Sequence, residues 1–129
     1  MNLLAIDYGL RHIGLAISTD AHLAQPLPGF QSKNTQHTIN TIARLIQTHD
    51  IHQIILGRPT GKIKIAVEQF GHLLQTTLNL PIEFWDEEYT TNEAVFKARQ
   101  SGKKKAKIKQ QEHSLAAAVI LQSYLDSLN

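Results

Sequence analysis

The chain has 129 residues, enough for one domain and one core over residues 1–129, and its 42% hydrophobic and 19% charged residues are ordinary for a globular fold. No apolar run approaches the roughly 20 residues that cross a bilayer. The opening Met1-Asn2-Leu3-Leu4-Ala5-Ile6-Asp7 reaches a carboxylate too early for a signal peptide, so a cytoplasmic setting without membrane attachment is expected. The lack of cysteine excludes disulfides, thiolate zinc sites and cysteine nucleophiles. A formal charge of +2 conceals an asymmetry: Lys97, Arg99, Lys103, Lys104, Lys105, Lys107 and Lys109 are seven of the thirteen Lys and Arg residues. Such a stretch is either a solvated loop or a contact for a polyanion.

Asn2 to Asp7 is a short apolar run ending in a carboxylate, which suits a buried strand. Tyr8-Gly9-Leu10-Arg11 reads as a tight turn into a second strand, His12 to Ser18, so the two should form a hairpin. A weaker third strand is expected over Leu23 to Phe30, kept to an edge by Pro26 and Pro28. Thr35 to His49 carries Ile39, Ile42 and Ile46 at helical spacing, and Gln53 to Gly57 is a continuous apolar strand of the kind buried on both faces. Val67, Phe70, Leu73, Leu74 and Leu78 predict an amphipathic helix, followed by a strand from Ile82 to Trp85. Thr90-Thr91-Asn92-Glu93 has capping-box spacing for a helix to about Gln100. After a lysine-rich loop, a last helix is expected from about Gln111 to Leu128, turning Leu115, Val119, Leu121, Leu125 and Leu128 inward.

Right-handed crossovers make the later strands parallel to the first. The prediction is a mixed five-stranded α/β sheet with helices on both faces, its first three strands antiparallel and its last two parallel to the first. Ligands bind beyond the carboxyl ends of parallel strands in such sheets. Asp7, Gly57 and the pair Asp86-Glu87 all end strands and should converge on one rim.

Phosphodiester hydrolysis needs positive charge on the phosphate and an activated water, and two divalent cations about 4 Å apart can supply both. Magnesium takes hard oxygen ligands, so carboxylates on rigid strand ends suit it. Asp7 with Asp86 or Glu87 offers part of such a set, and Glu112-His113 near the start of the last helix offers a further ligand. Alternation sends Asp86 and Glu87 to opposite sides, favouring one of them, Glu87, as the ligand. Asp7 also fits a turn beside Gly9, Thr90 and Thr91 fit helix caps, and Tyr8 fits packing. Arg58 lies on the same rim and could grip a phosphate bidentately. Lys103, Lys104, Lys105, Lys107 and Lys109 would bind a nucleic-acid backbone without regard to sequence.

Asp7-Tyr8-Gly9-Leu10-Arg11-His12-Ile13-Gly14-Leu15-Ala16 resembles the opening motif of the YqgF/RuvX family. Gly57-Arg58-Pro59 is similar to its glycine-leucine-proline, and Asp86-Glu87-Glu88-Tyr89-Thr90-Thr91 to its aspartate-glutamate-arginine-leucine-threonine-threonine. The lysine-rich loop followed by Glu112-His113-Ser114-Leu115-Ala116-Ala117-Ala118-Val119-Ile120-Leu121-Gln122 resembles its C-terminal signature. The resemblance implies an RNase H-like fold and a two-metal nuclease dependent on Mg2+ or Mn2+. It implies Asp7, Asp86, Glu87 and His113 at the catalytic metal site, with Arg11, Arg58 and the five lysines against nucleic acid. The family is associated with maturation of the 5′ end of pre-16S ribosomal RNA in ribosome biogenesis, and was also named for Holliday junction resolution.

His113 stands where the family has aspartate, Glu88 where it has arginine and His12 where it has a second basic residue, and the segment after Pro59 is shortened. Three other readings follow: an RNA-binding module of weakened catalysis, a resolvase of four-way DNA working as a homodimer, and an actin-like phosphotransferase. The last needs two domains and a second phosphate loop, for which 129 residues have no room. The rRNA nuclease, as monomer or homodimer, is the reading preferred.

Overall fold

A computed structural model describes residues 1–87 and 106–128, with side chains in the last helix from His113 onward. In chain order the elements are β1 (Leu3–Tyr8), β2 (His12–Ser18), β3 (Gln25–Gln31), α1 (Thr35–His49), β4 (Gln53–Arg58), α2 (Ile63–Leu78), β5 (Ile82–Asp86) and α3 (Ala106–Leu128). The sheet order is β3-β2-β1-β4-β5. β1 pairs antiparallel with β2, and β2 with β3, while β4 runs parallel to both β1 and β5. This is the mixed sheet expected from the sequence.

Two-residue alternation divides the strands between two cores. Leu4, Ile6, Ile13, Leu15, Ile54 and Leu56 pack with Ile39 and Ile42 of α1 and Val67, Phe70 and Leu74 of α2. Leu3, Ala5, Ala16 and Ile55 face the other way, against Ala117, Ile120, Leu121, Tyr124 and Leu125 of α3. β4 is apolar throughout because helices cover it on both sides. At the start of α1 the Asn34 side chain accepts from the His37 N–H at 2.8 Å, and Asp50 ends the helix in the left-handed region at φ 52°. Among the described residues no helix is long and apolar enough to cross a membrane.

Three expectations need correction. β3 starts at Gln25 rather than Leu23, because Asp20 accepts the N–H groups of His22 and Leu23 at 2.9 and 3.0 Å and holds them in a turn. α3 begins at Ala106, five residues early, so Lys107 and Lys109 belong to helix and not to a loop. Its Ala-Lys-Ile-Lys-Gln-Gln start consists mostly of strong helix formers, with no glycine or proline after Gly102. The inward face of α3 is also different: Leu115 and Leu128 are 44% and 58% exposed, while Ala116, Ala117, Ile120 and Tyr124 are buried. Leu73 of α2 is likewise exposed. The helix expected over 90–100 lies outside the described residues.

Small residues on the sheet explain the inward face of α3. A Cβ at Gly14 would stand 2.1 Å from the backbone carbonyl of His113, so the helix lies where only a glycine leaves room. A Cβ at Gly57 would meet the Ile120 Cδ1 at 2.7 Å, the far end of a flexible side chain. Gly14→Ala should therefore lower stability by about 1–3 kcal/mol, and Gly57→Ala by clearly less. Equal urea midpoints for the two variants would contradict this account of how α3 is seated.

Candidate active site

Asp7 is the penultimate residue of β1, and its side chain lies on the α3 side of the sheet, only 3% exposed. A carboxylate so buried requires hydrogen bonds or positive charge. His113 supplies one partner, its Nδ1 2.9 Å from the Asp7 Oδ2. The two residues are 106 apart in sequence, and three features of the sheet bring them together.

Gly14 lies directly across the hairpin from Asp7, so the place where a β2 side chain would stand is taken by the His113 backbone. Beside it the β2–β3 register breaks: Ile13 pairs with Phe30 but Leu15 with Leu27, leaving one extra residue in β3. At this break the Leu15 N–H donates to the Ser114 Oγ at 3.3 Å, pinning the residue next to His113. Gly29 opens the same spot, since a Cβ there would stand 2.3 Å from the Ile13 carbonyl oxygen and 3.1 Å from the Ser114 Oγ. The His12 ring lies nearly parallel to that of His113, with centroids 5.8 Å apart. The turn between β1 and β2 closes through the Gly9 N–H, which donates to the His12 carbonyl at 3.1 Å.

Sequence reading found Asp7 and His113 but not Gly14, Gly29 or Ser114, which seat one against the other. A glycine inside an otherwise apolar strand was the available signal of a close approach.

Asp86 and Glu87 part as alternation requires. Arg58 and Asp86 are register partners on β4 and β5. The Arg58 Nε donates to the Asp86 carboxylate, its Nη1 lies 3.4 Å from the Glu68 Oε2 of α2, and its guanidinium carbon is 5.3 Å from the Phe84 ring centroid. All four belong to the α1/α2 side, the face opposite Asp7. Trp85 points to the α3 side, where its Nε1–H donates to the Ser123 Oγ at 3.1 Å and its ring meets Tyr124 edge-on. The hydrogen bond to Arg58 holds the Asp86 carboxyl below its ordinary value, and the same bond raises the Arg58 guanidinium above its own.

The expectation of Arg58 as a bidentate phosphate ligand meets a guanidinium already engaged by two carboxylates. Asp86 is turned away from Asp7 for the same reason. Tyr8 packs, stacking on Phe70 at 4.3 Å between centroids. Arg11 is exposed on the turn, and its carbonyl accepts from the Ser32 N–H at 2.7 Å. Lys103, Lys104 and Lys105 lie outside the described residues, as do the side chains of Lys107, Lys109 and Glu112. Among the described residues no three of Asp, Glu and His form a group able to hold a metal ion, so the site contributes a pair and not a closed cluster.

The pair nevertheless suits a shared cation. Adjacent ligands of an octahedral ion with bonds of about 2.1 Å stand about 3 Å apart, which the 2.9 Å between the Asp7 Oδ2 and the His113 Nδ1 matches.

A family model described as RuvX, Holliday junction resolvase, matches residues 1–127. The chain belongs to the RuvX family. A relative from Chloroflexus aurantiacus named "Putative pre-16S rRNA nuclease" is 37% identical, over 97% of this chain and 86% of its own. One of the same name from Dictyoglomus turgidum is 36% identical over 100% of this chain and 96% of its own. Among solved structures, T. thermophilus RuvC in complex with a Holliday junction substrate superposes with a TM-score of 0.64 at 12% identity, covering 100% of this chain and 97% of that one. The Fowlpox virus resolvase bound to Holliday junction DNA gives 0.56 at 16% identity, over 99% of each chain. These likenesses establish the RNase H-like fold. RuvX membership makes the chain a nuclease, a hydrolase of phosphodiester bonds.

The depressed Asp86 carboxyl has a consequence for stability. Its folded value lies below its unfolded one, so its contribution is present above the ordinary carboxylate value of about 3.9 and is lost as pH falls through the folded value. Asp86→Asn should cost about 1–3 kcal/mol at pH 7. The gap from the unsubstituted protein should narrow on acidification, and a gap in urea midpoints that stays constant from pH 7 down to the acid limit of folding would refute the ion pair's role.

Proposed function

We propose that Asp7, His113 and Glu87 hold divalent cations of the Mg2+ or Mn2+ class and that the chain cleaves precursor 16S ribosomal RNA near its 5′ end. The observation that carries the reading is the buried Asp7 carboxylate 2.9 Å from the His113 imidazole at the carboxyl end of β1. When bound, the cations would activate water and neutralise charge on the phosphate. Asp7 supplies a hard anionic oxygen from a strand that cannot shift, because its neighbours β2 and β4 hold it on both edges. His113 supplies a nitrogen donor in its neutral form, which suits Mn2+ better than Mg2+. Glu87 follows Trp85 by two residues, and strand alternation assigns it to the side of Asp7.

Arg11 on the exposed turn and the lysines at 103, 104, 105, 107 and 109 would meet the phosphate backbone at the same rim. The identity of the full-length relatives favours ribosomal RNA over four-way DNA as the substrate. The deciding experiment incubates the purified protein with pre-rRNA fragments and with four-way junctions, with and without Mn2+. Mn2+-dependent cutting of the rRNA fragment alone supports the proposal; cutting of the junction alone moves the chain to resolvase, and binding without cutting moves it to a binding module.

Asp7→Asn should fold, since it removes a buried charge, yet lose cleavage by on the order of 100-fold. Isothermal titration should also lose the heat of Mn2+ binding, and undiminished cleavage would remove Asp7 from the site.

His113→Asp sets two carboxylates side by side. Without metal the variant should melt at a lower temperature than the unsubstituted protein, because like charges repel. Added Mg2+ should raise its melting temperature more, because a ligand that binds only the folded state stabilises it. Equal Mg2+ shifts in the two proteins would argue against a shared cation at this pair.

A further inference from the structure

The ion-pair network on the far face of the rim has no role in the chemistry just described, yet it ends one residue before Glu87. β5 is an edge strand, bonded to β4 on one side only. Its terminus would be the least constrained of the parallel strand ends, and it carries a side chain whose direction matters. Arg58 on β4 reaches across to Asp86, the last residue of β5, and toward Glu68 on α2, so one guanidinium joins three elements. Two residues back, Phe84 lies under the guanidinium and fits against α2 where Gly71 has no side chain; a Cβ there would be 2.5 Å from the Phe84 ring.

We propose that Arg58, through Asp86 and Glu68, is a positioning residue that fixes the end of β5 so that Glu87 is delivered to the face of Asp7 and His113. Asp86 is held on the α1/α2 side by a planar, two-pronged donor, and the next alternate position belongs to the metal side. The inference rests on the reading of Glu87 as a ligand given above.

The test uses the full chain with Mn2+ alone as the calorimetric probe, alongside cleavage of whichever structured substrate the unsubstituted protein cuts. Arg58→Leu should weaken Mn2+ binding about tenfold, the scale of losing a group that orients a ligand. It should lower kcat while leaving KM for the nucleic acid unchanged. Arg58→Lys should recover part of both, because an ammonium can meet one carboxylate but not span two. Glu68→Gln keeps the Asp86 pair and should show a smaller loss of the same sign; it carries the test if Arg58→Leu fails to fold.

Three results would overturn the proposal. Unchanged Mn2+ affinity in the folded variants would leave the network purely structural. A raised KM at constant kcat would make Arg58 a substrate contact. Tighter Mn2+ binding in Arg58→Leu would mean that Asp86, once released, is itself the ligand. Mn2+ binding that is indifferent to Asp7→Asn would overturn the underlying site reading instead, a result distinguishable from all three.

Discussion

The site depends on how closely α3 can approach the sheet. Helix and strand surfaces ordinarily keep their backbones well apart because side chains stand between them. Here the His113 carbonyl occupies the space a Cβ of Gly14 would need, and Gly14 is the cross-strand neighbour of Asp7. The missing side chain and the buried carboxylate are thus two halves of one arrangement. The helix descends into the gap and brings an imidazole onto the acid. Ser114 then takes the Leu15 N–H at the register break between β2 and β3, which fixes the rotation of the helix as well as its depth.

Much of this was legible in the sequence, for identifiable reasons. The continuous apolar run at Gln53 to Gly57 could only be a strand covered on both faces, and the Asn34 cap and the isoleucine spacing gave α1 its observed limits. Asp7, Asp86 and Glu87 were visible because each follows a hydrophobic run, where a carboxylate must lie at a strand end. The inward face of α3 was not legible. Leucine spacing proposes Leu115 and Leu128, but the sheet beneath offers Gly14 and Ala16, and against small residues a helix buries its alanines. Helical periodicity reports which residues could face a core and carries nothing about the surface they must fit. Arg58 was misread for a related reason. Its place on the rim is correct, but its partners come from β5 and α2, 28 and 10 residues further along the chain, which no local pattern connects.

Alternation separates the two acids of the Asp86-Glu87 pair more sharply than their adjacency suggests. Ile82, Phe84 and Asp86 share one face of β5, and Trp85 lies on the other with Tyr124 and Ser123. A dipeptide of two carboxylates at a strand end therefore addresses both sides of the sheet at once. One side is supplied with a guanidinium from within the fold. The other faces α3, where the charged partner of Asp7 among the printed contacts is an imidazole that can be neutral.

That difference in compensation bears on why the nuclease reading fits the Asp7 side and not the Asp86 side. A carboxylate paired with arginine is neutralised permanently, since guanidinium keeps its proton at any pH the fold survives. Admitting a cation beside Asp86 would require breaking that pair and desolvating the ion for little gain in charge balance. Asp7 is the more deeply buried of the two, and histidine leaves its negative charge uncompensated whenever the imidazole is neutral. Burial raises the cost of an uncompensated charge, so the same features that make Asp7 expensive to the empty fold make a divalent cation most favourable there. The rim thus holds one acid already balanced by the protein and another whose balance can come from a bound ion. An electrophilic centre for a phosphodiester belongs at the second.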